Sequence, residues 1–136
     1  MDMQLKDRTA LVTGASVGIG RGIALALAAE GVRLAVTARR ADKLEELAGA
    51  IVAAGGAAPV LIEQDMYAED AARRVADAAV LQLGHVDILV NNAGGSRSFK
   101  DLHVSEAQWQ EAITLNFHRP RQRGDALIDP MIERRW

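Results

Sequence analysis

The chain has 136 residues, 49% of them hydrophobic and 25% charged, with a formal net charge of −2 and no cysteine. That balance suits one globular domain that buries about two-thirds of its unfolded surface, and it excludes a disordered chain, disulfide staples and thiolate chemistry. No lysine run marks a nucleic-acid or membrane-surface partner, and no stretch reaches the ~20 apolar residues of a membrane span or reads as a signal peptide, so a soluble cytoplasmic protein is expected.

In chain order, "TALVT" at 9–13 reads as a short buried strand. Residues 18–30 carry Ile19, Ile23, Ala26 and Leu27 at helical spacing, with Gly31 placed to stop the helix. "VRLAVTA" at 32–38 is a second strand, and Asp42 with Glu45 three places on resembles a capping box opening a helix that runs to Gly55 and Gly56. "PVLIEQD" at 59–65 is a third strand, 69–83 a third helix closed by Gly84, and "VDILVNNAGG" at 86–95 a fourth strand ending in a glycine turn. Ser105 and Gln108 form a capping box for a helix through Trp109, Ile113 and Leu115. Strands alternating with helices imply a parallel sheet with right-handed crossovers, covered on both faces.

Between the first strand and first helix lies "TGASVGIG", with Gly14, Gly18 and Gly20 close together. Glycine costs roughly 0.5–1 kcal/mol against alanine inside a helix, so the missing side chains must serve something. In a doubly wound sheet this turn faces the crevice at the carboxyl ends of the strands, where ligands bind. Gly14 would supply an unusual backbone angle, Gly18 would let a pyrophosphate reach the main chain, and Gly20 would let helix pack on strand. The first N–H groups of the helix and its dipole would hold the negative charge. A tight connection with no ligand is the plainer alternative.

The spacing G-x-x-x-G-x-G after Thr13, together with "NNAG" at 91–94, Asp65–Met66 after the third strand and Asn116 in "ITLNF", resembles the short-chain dehydrogenase/reductase family over most of the chain. The resemblance implies a Rossmann-like sheet of order 3-2-1-4 and an oxidoreductase that moves hydride between NADP(H) or NAD(H) and a carbonyl or alcohol. It implies that Thr13, Gly14, Ser16, Gly18, Ile19 and Gly20 cradle the pyrophosphate and that Asp65 and Met66 face the adenine. Asn91, Ala93 and Gly94 would line the adenosine ribose and cofactor floor. Asn116 would be the one catalytic-relay residue: Pro120, four places on, has no N–H to bond its carbonyl, which in the family holds a water of the proton relay. The family's usual dimers or tetramers make a homo-oligomer the expectation.

Cofactor choice turns on the end of the second strand, where NAD-binding proteins of this fold commonly place an acid. Here the sequence reads "TARRAD": Ala38 is neutral, and Arg39 and Arg40 follow. A guanidinium binds a 2′-phosphate in a planar, bidentate way, so NADP(H) is favoured over NAD(H). Val17 stands where many NADP users carry a basic residue.

The family's catalytic serine and Tyr-x-x-x-Lys are not found. The one tyrosine, Tyr67, has Ala71 four places on. "ALIDPMIERRW" at 126–136 is read as leading into a fifth strand, so residues 1–136 are expected to be a single NAD(P)-binding domain lacking the catalytic half. The alternative is a non-catalytic nucleotide-binding or interaction module. His85, His103 and His118 have no metal-site spacing, and Arg119, Arg121, Arg123, Arg134 and Arg135 are read as solvated helix faces.

Overall fold

The computed structural model describes residues 2–95, 100 and 102–136. Its elements are β1 (Thr9–Thr13), α1 (Gly18–Ala29), β2 (Arg33–Ala38), α2 (Ala41–Ala53), β3 (Val60–Glu63), α3 (Ala71–Leu83), β4 (Ile88–Val90), α4 (Glu106–Ile113) and α5 (Arg119–Arg134). The four strands are parallel in the order β3-β2-β1-β4, the Rossmann-like arrangement read from the sequence.

Alternation along β1 builds the two cores. Ala10 and Val12 pack with Leu34, Val36, Leu44 and Ile51 under α1 and α2. Leu11, from the opposite face, packs with Ala35, Val75, Ala79, Leu83 and Leu127 under α3 and α5. All five residues of β1 are buried, as a central strand covered on both faces requires. β3 departs from the expected two-sided burial, because Leu61 and Glu63 are exposed on this edge strand.

Local chemistry sets the helix boundaries. Gly31 (φ +79°) and Gly84 (φ +89°) end α1 and α3 in backbone conformations that other residues resist. α3 starts later than expected because Asp65 and Ala68 fold the preceding chain into turns: Asp65 Oδ1 accepts the Tyr67 N–H at 3.0 Å, and the Ala68 carbonyl accepts the Ala71 N–H at 3.2 Å. The capping-box expectation for α2 does not hold. Its N-cap is Arg40, no side chain caps it, and the Asp42 carboxylate takes the Arg40 guanidinium at 2.9 Å. The Ser105–Gln108 box is present in both directions, at 3.3 and 2.9 Å.

The end of the chain is helical: residues 126–134 continue α5, which packs on α3. α4 passes into α5 through one π-helical turn, Thr114–His118. Pro120 sits just beyond it, in the first turn of α5, where its missing N–H removes an α-helical hydrogen bond. The far end of α5 is fastened to the amino end of the sheet: Arg134 Nε lies 3.4 Å from Asp87 Oδ1, and the Arg8 guanidinium stacks 4.1 Å over the Trp136 ring.

Asp87 is the hub of that amino end. Its Oδ2 accepts the Thr9 N–H at 3.0 Å and the Thr9 hydroxyl at 3.3 Å, and lies 3.2 Å from His85 Nε2, so His85 is not an isolated surface group. Burial pushes the Asp87 carboxyl up, but the Thr9 N–H, the His85 charge, the Thr9 hydroxyl and the Arg134 charge together hold it below the usual aspartate value. A lowered folded-state pKa stabilises the fold above the ordinary aspartate range, and that stability is lost as pH falls through the range. Asp87→Asn should lower stability at neutral pH by roughly 1–3 kcal/mol and flatten the acid loss below about pH 4. Urea unfolding at a series of pH values reads both effects; an unchanged acid slope would assign the loss to another group.

The turn from β1 to α1 gives a second test. Gly14 takes φ +65°, and a Cβ there would lie 2.9 Å from Ala93 Cα. A Cβ at Gly20 would overlap the Gly14 carbonyl and the Asn92 side-chain amide, whereas one at Gly22 meets nothing within 4 Å. Gly20→Ala should therefore cost about 1–3 kcal/mol, while Gly22→Ala should gain up to about 1 kcal/mol from helix propensity. Thermal denaturation of the two variants side by side gives the sign of each.

Candidate functional site

The carboxyl ends of the four strands open into a cleft of about 400 Å³. It lies across the point where β1 runs to β2 on one side and β4 on the other, the place where an open α/β sheet parts its loops. Its walls are the β1–α1 turn, the end of β2, the loop after β3, the glycine turn after β4 and Leu115 of the π-helical turn.

Thr13 holds these walls together from beneath. It is fully buried, and its hydroxyl donates to the Val90 carbonyl at 3.1 Å while accepting the N–H groups of Asn92 (3.0 Å) and Ala93 (2.9 Å). Asn92 returns the contact, its Nδ2 donating to the carbonyls of Thr13 (3.2 Å) and Gly14 (3.1 Å). Thr13 is thus below the cleft floor.

Above it, Gly14 and Ser16 line the cleft and Gly20 lies buried behind them. Gly18 has φ +59° and open space where its side chain would be. Ile19, 77% exposed, does not line the cleft. α1 has Val17 at its N-cap and no side-chain cap, so no side chain takes up the N–H groups of its first turn.

The two arginines after β2 separate. Arg39 lines the cleft and makes no ion pair among the described residues, whereas Arg40 is engaged with Asp42 outside it. Thr37, at the end of β2, has a buried hydroxyl without a partner at the edge of the cleft. Asp65 and Met66 line the opposite wall beside Tyr67, so the tyrosine set aside in the sequence does face this cleft.

Of the glycine turn, Ala93 and Gly94 line the cleft and Asn91 does not. Asn91 faces α5: its Oδ1 accepts from Arg123 Nε at 2.8 Å and its Nδ2 donates to the Pro120 carbonyl at 3.3 Å. Successive residues leaving a strand point to opposite sides, and Asn92 is the one turned toward β1. Sequence reading missed Asn92; the pair "NN" showed that an amide was present but not which of the two would face inward.

Asn116 sits against the floor. Its side-chain amide exchanges two hydrogen bonds with the Gly95 backbone, at 2.9 and 2.7 Å, and donates to the Ala112 carbonyl at 2.9 Å. Gly94 makes room for it, since a Cβ there would lie 2.7 Å from Asn116 Oδ1.

Two of the arginines expected on solvated faces are buried. Arg119 donates from Nε to the Met66 carbonyl (2.9 Å) and from Nη2 to the Tyr67 carbonyl (3.3 Å). Arg123 is fully buried, with Nε on Asn91, Nη1 3.3 Å from the Met66 sulfur and Nη2 without a partner. Burial, with the like charge of Arg119, lowers the Arg123 pKa to about 10. Arg121 remains on the surface, paired with Asp125 at 2.8 Å. Among the described residues no group of His, Cys, Asp and Glu could hold a metal ion, and no helix is long and apolar enough to cross a membrane.

Comparison with known proteins agrees with this geometry. A short chain dehydrogenase of Pseudocercospora fijiensis is 37% identical over 138 residues, covering 97% of this chain and 43% of that protein. The crystal structure of L-sorbose reductase from Gluconobacter frateurii, complexed with NADPH and L-sorbose, superposes with a TM-score of 0.90 at 29% identity, over 98% of this chain and 51% of that one. A metagenomic short-chain oxidoreductase in complex with NADP gives a TM-score of 0.86 at 36% identity, over 95% of this chain and 59% of that one. The chain spans about half the length of the relatives it matches. The short chain dehydrogenase family model matches residues 8–136, and the chain belongs to that family of oxidoreductases.

Proposed function

We propose that the cleft binds the adenosine and pyrophosphate portions of NADP(H), and that the whole protein is an NADP(H)-dependent oxidoreductase acting on a small carbonyl or alcohol. The observation that carries the cofactor choice is Arg39, a guanidinium on the cleft wall with no carboxylate paired to it among the described residues, in the place where an acid would hold an unphosphorylated ribose. Solved relatives complexed with NADPH and NADP support the same reading.

The chain's own residues fit the group. Gly18 has open space beside its backbone where a pyrophosphate could approach, Gly14 and Ser16 line the cleft next to it, and the uncapped first turn of α1 offers N–H donors. Arg39 would take the 2′-phosphate, with Arg40 available only by leaving Asp42. Asp65 and Met66 would meet the adenine, and Ala93 and Gly94 the ribose, with Asn91 acting from behind through α5. Thr13, Gly20 and Asn92 hold that surface in shape, and Ile19 would contribute through its backbone. When bound, the nicotinamide supplies the hydride. The main-chain carbonyl of Asn116, within the π-helical turn and four residues before a proline, would hold a water of the proton relay.

These residues bind and position; the proton-transferring serine, tyrosine and lysine of the family are assigned to none of them. Residues 1–136 form one NAD(P)-binding unit in this reading, and the whole protein is a cytoplasmic homo-oligomer. Titration of the chain with NADPH and NADH tests it. NADPH should bind more tightly, and Arg39→Asp should weaken NADPH by roughly tenfold or more while sparing or improving NADH. Equal affinity for both cofactors before and after the change would remove Arg39 from the 2′-phosphate role.

A further inference from the structure

The two buried arginines of α5 have no carboxylate partner among the described residues. Burying a guanidinium is costly unless it is paired and fully hydrogen-bonded, and apolar replacement of buried charges is often neutral or stabilising. Arg123 meets that condition poorly: it is fully buried, one nitrogen has no acceptor among the described residues, and the charge that acts on it is the like charge of Arg119. A core built for stability alone would favour leucine or methionine there.

The acceptors the pair does use are informative. Arg119 holds the main-chain carbonyls of Met66 and Tyr67, two consecutive residues of the cleft wall after β3. Arg123 holds the Met66 sulfur and, through Asn91, the end of β4. The π-helical turn that runs into this helix carries Asn116, which is bonded to the Gly95 backbone on the cleft floor. One helix thus ties the loop after β3 and the turn after β4, segments held together by no strand pairing, since β3 and β4 are at opposite edges of the sheet.

We propose that Arg119 and Arg123 are positioning residues for the nucleotide, pinning the wall of the cleft that receives its adenosine end. This rests on the reading of the cleft as a nucleotide site. The pair touches no ligand itself; it fixes the spacing between the loop of residues 65–68 and the turn of residues 91–95. Its purpose is geometry at the expense of stability.

The test uses ADP-ribose, which carries the adenosine and pyrophosphate but no 2′-phosphate, so its outcome is independent of the role given to Arg39. Calorimetric titration is run on the unaltered chain, Arg119→Met, Arg123→Met and the surface control Arg121→Met, with thermal unfolding and amide hydrogen exchange of each. The expected result is that the two buried variants bind ADP-ribose roughly tenfold more weakly and exchange faster at residues 65–71. Their melting temperatures and the exchange of β1 and β2 should be unchanged or improved, and Arg121→Met should behave as the parent. ADP-ribose affinity within twofold of the parent in both variants would overturn the inference while leaving the cleft reading intact. Failure of the unaltered chain to bind ADP-ribose would overturn both. If Arg119→Met does not fold, Arg119→Lys, which cannot fork across two carbonyls, carries the same comparison: weaker binding with faster exchange confined to 65–71 supports the positioning role, and parent-like binding refutes it.

Discussion

The structure depends on the close approach of β1 and β4 at their carboxyl ends. There Gly14 and Gly20 let strand, helix and glycine turn meet closely, and the side chains of Thr13 and Asn92 bond across the gap. The Thr13 hydroxyl satisfies three backbone groups of the β4 side, and the Asn92 amide satisfies two carbonyls of the β1 side. This arrangement fills a need that the strand ladder cannot, because β1 and β4 pair only from Ala10–Ile88 to Val12–Val90 and then diverge. Polar backbone left at such a divergence must be bonded or hydrated. Here side chains do it, and the cleft opens directly above.

The second constraint is α5, which is fixed at both ends of the sheet by different physics. At the amino end the fastening uses Asp87, Arg134 and a cation over an indole ring. At the cleft end it uses neutral acceptors only: carbonyls, an amide and a thioether. The first is a charge pair that salt and acid weaken, whereas the second is buried and less open to screening. The π-helical turn at Thr114–His118 shifts the helix register just before Arg119. Proline at 120 makes that break cheap, since the regular hydrogen bond is already lost there.

The fold was legible because its signals are local and redundant. Buried strands, helix periods and glycine stops each stated the same α/β alternation, and the strand order followed from the family resemblance. Part of the site was legible for the same reason: Gly14 and Gly20 are glycines whose side chains would collide, and Arg39 stands at a strand end whose position is fixed by the fold. The failures have a common cause. Asn91 against Asn92, Arg39 against Arg40, and Arg119 and Arg123 against Arg121 are choices between neighbours of the same chemistry, decided by which way each side chain points once α5 is packed. Composition made five arginines near the end of the chain look like a wetted surface; helix phase buries 119 and 123, four residues apart and so on one face, and leaves 121 outside.

That phase has an electrostatic consequence for the cleft. The chain as a whole carries −2, but the carboxyl end of the sheet gathers Arg39 on the wall, Arg119 and Arg123 one residue layer behind it, and the positive end of the α1 dipole. Among the described residues of the cleft wall the carboxylate is Asp65, which is exposed, so water screens it strongly. The buried guanidiniums have no such screening, and their field passes through low-dielectric protein into the cleft. In the proposed reading, a phosphate-bearing ligand placed there would offset the repulsion between these two like charges. The two arginines would then favour an anion by charge as well as by shape, because the burial that makes a guanidinium costly also makes its field felt.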